Sequence, residues 1–152
     1  IVPGITYDRP VSHFDIFATA LAAAGMPAPA GLETDGVDLL PFLAGARDGA
    51  PHERLFWRSG PYAAVRSGDW KLQVEGRSKL HALYDLASDP AETTDLSADR
   101  PETAADLLGL LAEFDKQQAE PQWPSLLEGV VPIDQPLQRP WPKEARFIYW
   151  SN

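Results

Sequence analysis

The residues with the widest chemical range here are three histidines, His13, His52 and His81, and a surplus of carboxylates. No two of the histidines stand in an H-x-x-x-H or H-E-x-x-H pattern, the spacing that places two imidazoles on one helix face to bind zinc. His13 falls in the first turn of a predicted helix, where the partial positive charge of the helix N-terminus disfavours an imidazolium. Structural or surface roles are expected for all three. The stretch "TDGVD" (34–38) starts like a calcium loop, but the alternating oxygen ligands do not continue. There is no G-x-S-x-G elbow for a serine nucleophile and no G-x-x-x-x-G-K-[ST] loop for a phosphate. The chain has no cysteine, which removes thiolate nucleophiles, thiolate metal ligands and disulfides. Only "AVRSGDWKLQVEG" (64–76) gathers an anion-binding composition, with Arg66, Trp70 and Lys71 around a Ser-Gly-Asp turn. Its alternation puts Trp70, Leu72 and Val74 on one side and Lys71, Gln73 and Glu75 on the other. Lys71 is therefore expected to be solvated or paired with a carboxylate. Residue chemistry alone assigns no catalytic residue and no metal ligand.

The elements that would carry these residues change period along the chain. In "VSHFDIFATALAAAGMP" the Ser12-x-x-Asp15 spacing fits a capping box, and Val11, Phe14, Ala18, Leu21 and Ala22 form one stripe. Gly25 and Pro27 stop the turn, so a helix is predicted over 13–24. "DLLPFLAG" predicts a short helical piece ending at Gly45. Next come four short runs, 54–59, 62–67, 69–75 and 79–86, separated by Gly-containing turns. They predict a four-stranded antiparallel meander. Asp89-Pro90-Ala91-Glu92 reads as an N-cap, a first-turn proline and a third-position acid, and Asp99-x-x-Glu102 repeats the pattern. Ala104, Leu107, Leu108, Leu111 and Phe114 then mark one face of a helix over 101–118, which would cover one side of the sheet.

The last 33 positions, 120–152, hold six of the 15 prolines and three of the five tryptophans. Their apolar residues call for burial, which predicts an extended arm lying along another surface. The expected fold is α+β. A helix comes first, then a four-stranded antiparallel sheet covered by a C-terminal helix, then the Pro/Trp-rich tail. The expected divisions are 1–50, 51–119 and 120–152.

A chain of 152 residues with 44% hydrophobic content can bury a core. Its formal charge of -9 and sequence pI of about 4.7 argue against a nucleic-acid partner. No apolar run approaches the roughly 18 residues of a membrane helix, so no membrane partner is expected. The absence of cysteine is compatible with periplasm and cytoplasm alike. The start "IVPGITYDRP", with no initiator Met and no signal-peptide pattern, reads as the interior of a longer chain.

Four segments, in order, resemble the C-terminal region of type I sulfatases of the alkaline-phosphatase superfamily. They are "PVSHFDIFATALAAAGMPAP", "DGVDLLPFLAG", "AVRSGDWKL" and "LYDLASDPAETTDLS". In the first, Ala18 stands where the family usually has Pro, and Thr19 is retained. In the second, Asp38 replaces the usual Ser. The resemblance spans residues 1–119, and the terminal "FIYWSN" is similar to endings of some bacterial members. It implies that a parent protein hydrolyses sulfate esters with a formylglycine and a divalent cation, calcium or magnesium. Family formylglycines arise from C/S-x-P/A-x-R, and neither Ser59-Gly-Pro-Tyr-Ala63 nor Ser88-Asp-Pro-Ala-Glu92 ends in Arg. The catalytic set is thus expected in an N-terminal sulfatase core outside this chain, with no cofactor held here. The first helix would pack on that core, and a homo-oligomer interface is a further expectation. His13, Trp141, Arg146 and Trp150 are the expected substrate-side residues. Two alternatives stand beside this: a phosphonate or phosphodiester hydrolase of the same superfamily, and a free-standing binding or assembly module.

Overall fold

The alternating runs form four strands: β1 (Arg54–Ser59), β2 (Tyr62–Ser67), β3 (Trp70–Glu75) and β4 (Leu80–Asp85). The computed structural model describes residues 1, 3–60, 62–76 and 80–119, and the backbone of 128–130 and 149–151. The strands pair antiparallel in the order β1-β2-β3-β4, each with its sequence neighbour. Short loops set this topology. Gly68, with φ +59°, occupies the first loop position between the paired Ser67 and Trp70, where a type II′ hairpin turn demands a left-handed residue.

The period of two sorts the sheet into faces. Val65, Leu72 and Leu83 are adjacent across three strands and fully buried. Against them packs α3 (Pro101–Lys116) through Ala104, Leu107 and Leu111. Trp70, Val74, Phe56 and Leu108 border this cluster, half-buried. Phe56 stacks on Phe114 with ring centroids 4.6 Å apart, and Arg58 donates to Asp115 (2.7 Å), fixing the last turns of α3 to β1. The expected sheet and covering helix are present as read. One detail differs: α3 starts at Pro101 after Arg100 with no side-chain cap, so Asp99 does not serve as its cap.

The chain divides into two compact units, 1–53 and 54–152. The first contains α1 (Asp15–Ala23) and α2 (Leu40–Leu43). A turn with Asp15 N–H on Ser12 O (3.0 Å) and Ile16 N–H on His13 O (3.2 Å) leads into α1, and Gly25 at φ +66° ends it. Gly45 follows α2 at φ +69°. In the second unit β5 (Glu128–Val130) pairs antiparallel with β6 (Tyr149–Ser151), a pairing within the arm that the sequence did not indicate.

Candidate functional site

Two clusters of buried polar side chains, one in each unit, are the strongest candidates. The first centres on Asp15, which is fully buried. The Ser12 and Val37 backbone N–H groups donate to its two oxygens at 2.7 and 2.9 Å, and His52 Nε2 donates to both at 2.8 and 2.9 Å. Ser12 Oγ accepts weakly from Phe14 N–H (3.4 Å) and not from Asp15 N–H, and Phe14 at the N-cap has no side-chain cap, so only the Asp15-to-Ser12 half of the expected capping box forms. One turn later, Thr19 accepts from Leu39 N–H (3.0 Å) and donates to Val37 O (3.5 Å). Together Asp15 and Thr19 grip the segment 37–39 along one side of α1. This close approach requires Gly36, because a Cβ there would stand 2.2 Å from Phe14 O.

Burial, the largest influence on Asp15, pushes its carboxyl up; the bonds from Val37, Ser12 and His52 together outweigh it, so the group lies below the ordinary carboxylate range. A carboxylate orienting an imidazole is half of a base dyad. Among the described residues, however, no hydroxyl or amine hydrogen-bonds to His52.

The second cluster lies on the sheet face opposite α3. Lys71 Nζ donates to Glu92 Oε1 and Gln73 Nε2 to Glu92 Oε2, each at 2.5 Å, while Tyr62 OH donates to Gln73 Oε1 at 2.8 Å. Lys71 is thus paired rather than solvated, with side-chain exposures of 23% for it and 19% for Glu92. Glu92 does not start a helix. Its φ is +56°, and the segment from Asp89 is a loop built on the Asp89 carboxylate, which accepts from Thr93 N–H (2.8 Å), Thr93 OH (3.0 Å) and Thr94 N–H (2.9 Å). The Thr94 bond leads in holding Asp89 below the ordinary carboxylate range. The D-P-x-E pattern fits a helix start and this loop equally well. The loop wins because a left-handed Glu92 reaches Lys71 and Gln73.

Neither cluster suits a divalent cation. Among the described residues no three His, Asp or Glu converge, and the two hub carboxylates are already engaged by donors. Asp38, in the loop that started like a calcium site, accepts from Leu40 N–H at 2.9 Å in a local turn leading into α2. No described helix is long and apolar enough to cross a membrane. Of the expected substrate-side residues, His13 is exposed, its ring 4.1 Å from that of Phe14. Trp141 and Arg146 lie outside the described residues, and Trp150 is placed by its backbone alone, opposite Gly129. Within the first unit, His13 takes no part in the hydrogen bonds to the Asp15 carboxylate. Neither hub was legible: Asp15 presents as an ordinary cap, and only its i, i+4 spacing to Thr19 hints at a gripping face.

α1 also turns an apolar surface outward: Phe14 is 52% exposed, Ile16 69% and Phe17 46%.

Comparison with known proteins finds similar sequences and the same architecture in sulfatases, and the architecture also in a phosphonate monoester hydrolase. The chain is 27% identical over 150 residues to the uncharacterized sulfatase YdeN of Escherichia coli (strain K12), covering 74% of this chain and 26% of that protein. It is 33% identical over 146 residues to arylsulfatase A of Bos taurus, covering 79% and 28%. A solved 2-O GAG sulfatase superposes with a TM-score of 0.59 at 26% identity, over 68% of this chain and 24% of that one. The phosphonate monoester hydrolase of Agrobacterium radiobacter shares the fold, with a TM-score of 0.57 at 24% identity over 73% and 26%. No protein-family profile matches. The chain is homologous to sulfatases of the arylsulfatase-like superfamily. It spans about a quarter of the length of the two sulfatases named from their sequences.

Proposed function

We propose that the chain is the C-terminal portion of a sulfatase. The parent hydrolyses sulfate esters, using a formylglycine and a calcium or magnesium ion held in a core outside these 152 residues. Residues 1–50 are the end of that core domain, 51–119 the C-terminal subdomain and 120–152 an arm. The piece completes the fold, and shapes the substrate cleft from one side or supports oligomerisation. His13, Trp141, Arg146 and Trp150 are its substrate-side residues.

The observation that carries this reading is the outward apolar face of α1. Phe14, Ile16 and Phe17 lie in the segment that carries the family's helix pattern, and such a face on a stable helix calls for a covering partner. Homology to proteins about four times longer supplies a partner of fitting kind, the remainder of the same polypeptide.

The test is the mass of the native polypeptide, read with an antibody raised against residues 54–119. A species several times larger than 16.7 kDa is expected. A native species of about that mass alone would overturn the reading in favour of a free-standing module.

A further inference from the structure

We propose that residues 86–100 form a strap across the polar face and free edge of the sheet, latched by Glu92 on Lys71 and Gln73, and that this latch keeps the edge of β4 closed. β4 ends the strand order, and an unpaired strand edge is a template for association with another chain. The strap occupies that edge. Leu96 N–H donates to Leu83 O at 2.8 Å, and Leu83 N–H donates to Asp95 Oδ1 at 3.1 Å, so both backbone polar groups of Leu83 are satisfied by the strap. At its start, Leu86 N–H donates to Asp69 O at 2.8 Å.

Between these ends the strap is stiffened by the Asp89 carboxylate on Thr93 and Thr94. It is drawn inward by Glu92, whose side chain passes β4 to reach β3. The register explains how. Ala82 is the β4 residue opposite Gln73, with Leu80 and Tyr84 on either side of it on the same face. Ala82 adds only a methyl group at that position, so little side chain stands between Glu92 and its partners Gln73 and Lys71. Gln73 is buried and takes the Tyr62 hydroxyl on its other side, so the latch extends to β2.

Glu92 is the one described non-glycine residue with positive φ. That conformation costs free energy for an L residue and persists only where the surroundings over-determine it. Two charge-assisted hydrogen bonds supply that constraint. Because the strap carries its own hydrogen bonds from Asp89 to Thr93 and Thr94, loss of the latch should release it as one local unit rather than unfold the sheet.

The test is amide hydrogen exchange on the intact 152-residue chain, for Lys71→Met and Glu92→Gly. The second variant accepts the left-handed backbone without strain and removes the whole side chain, carboxylate included. Each is expected to speed exchange at Leu83 and Leu96 by at least about tenfold, as loss of a charged hydrogen bond requires, with the β2–β3 amides unchanged. The double variant should exchange no faster than the faster single one, because both break the same latch. Unchanged Leu83 and Leu96 exchange in both single variants overturns the proposal. So does acceleration that spreads equally through β2 and β3. If Glu92→Gly fails to fold, Lys71→Met with Glu92→Gln decides by the same criteria.

Discussion

Replacing Asp15 should open the first unit locally, and the size of the effect follows from its hydrogen bonds. Asp15→Ala strands three donors, the N–H groups of Ser12 and Val37 and His52 Nε2. Bonds to a charged acceptor contribute about 1.5–3 kcal/mol each. Ser12 is half-buried, so water replaces part of its loss. Val37 and His52 are half-buried as well, so each stranded donor recovers part of its loss from water. The total is roughly 3–5 kcal/mol, against about 5–15 kcal/mol for a whole domain.

The direct readout is the protection factor of the Val37 amide, which should fall about a hundredfold or more. Asp15→Asn keeps one accepting oxygen but turns an amide NH2 toward a donor, so a smaller loss of about 2–3 kcal/mol is expected. The pH dependence has a definite sign. The carboxyl of Asp15 is lowered in the folded chain, so its stabilisation is present above the unfolded value near 4 and is lost as pH falls through the folded value. Wild-type Val37 protection should therefore decline in that acid window, and the decline should be absent in Asp15→Asn. A change below about fivefold for Asp15→Ala, or identical acid limbs in wild type and Asp15→Asn, would refute this account of the hub.

Gly36→Ala should destabilise the same unit by about 2 kcal/mol or more, because the added methyl meets the Phe14 carbonyl and the 37–39 segment must move off α1; exchange at Val37 and Leu39 checks it. In the sheet, Leu72→Ala should cost about 3–5 kcal/mol in urea unfolding, as Leu72 is fully buried at the centre of the cluster. Trp70→Ala should cost less, about 2–3 kcal/mol, because Trp70 is only half-buried at the margin. Phe14→Glu combined with Ile16→Lys should leave the fold of the first unit intact and reduce self-association of the isolated chain, since both side chains face outward; light scattering and apolar-dye binding read this.

The parts of this fold that were legible rest on local period. Trp70, Leu72 and Val74 alternate with Lys71, Gln73 and Glu75, and Gly60 and Gly68 sit at positive φ in the first two hairpin turns, so sheet order and facing could be read from neighbours in sequence. Ala104, Leu107 and Leu111 likewise announce the buried face of α3. The hubs escaped because their partners are remote. Asp15 meets Val37 and His52 at separations of 22 and 37 residues, and Glu92 meets Lys71 at 21. At Asp89 a local rule favoured a helix start, and a long-range ion pair selected a left-handed loop instead. Polar residues carry no period that reports such distant contacts, whereas apolar stripes do.

The central claim, that this chain is the non-catalytic portion of a sulfatase, is tested most directly by turnover of an aryl sulfate. Equal molar amounts of the 152-residue chain and of the native polypeptide that contains it would be compared, with and without a chelator. The account predicts chelator-sensitive turnover by the longer polypeptide and only background hydrolysis by the chain. Substantial, chelator-sensitive turnover by the chain alone would contradict it.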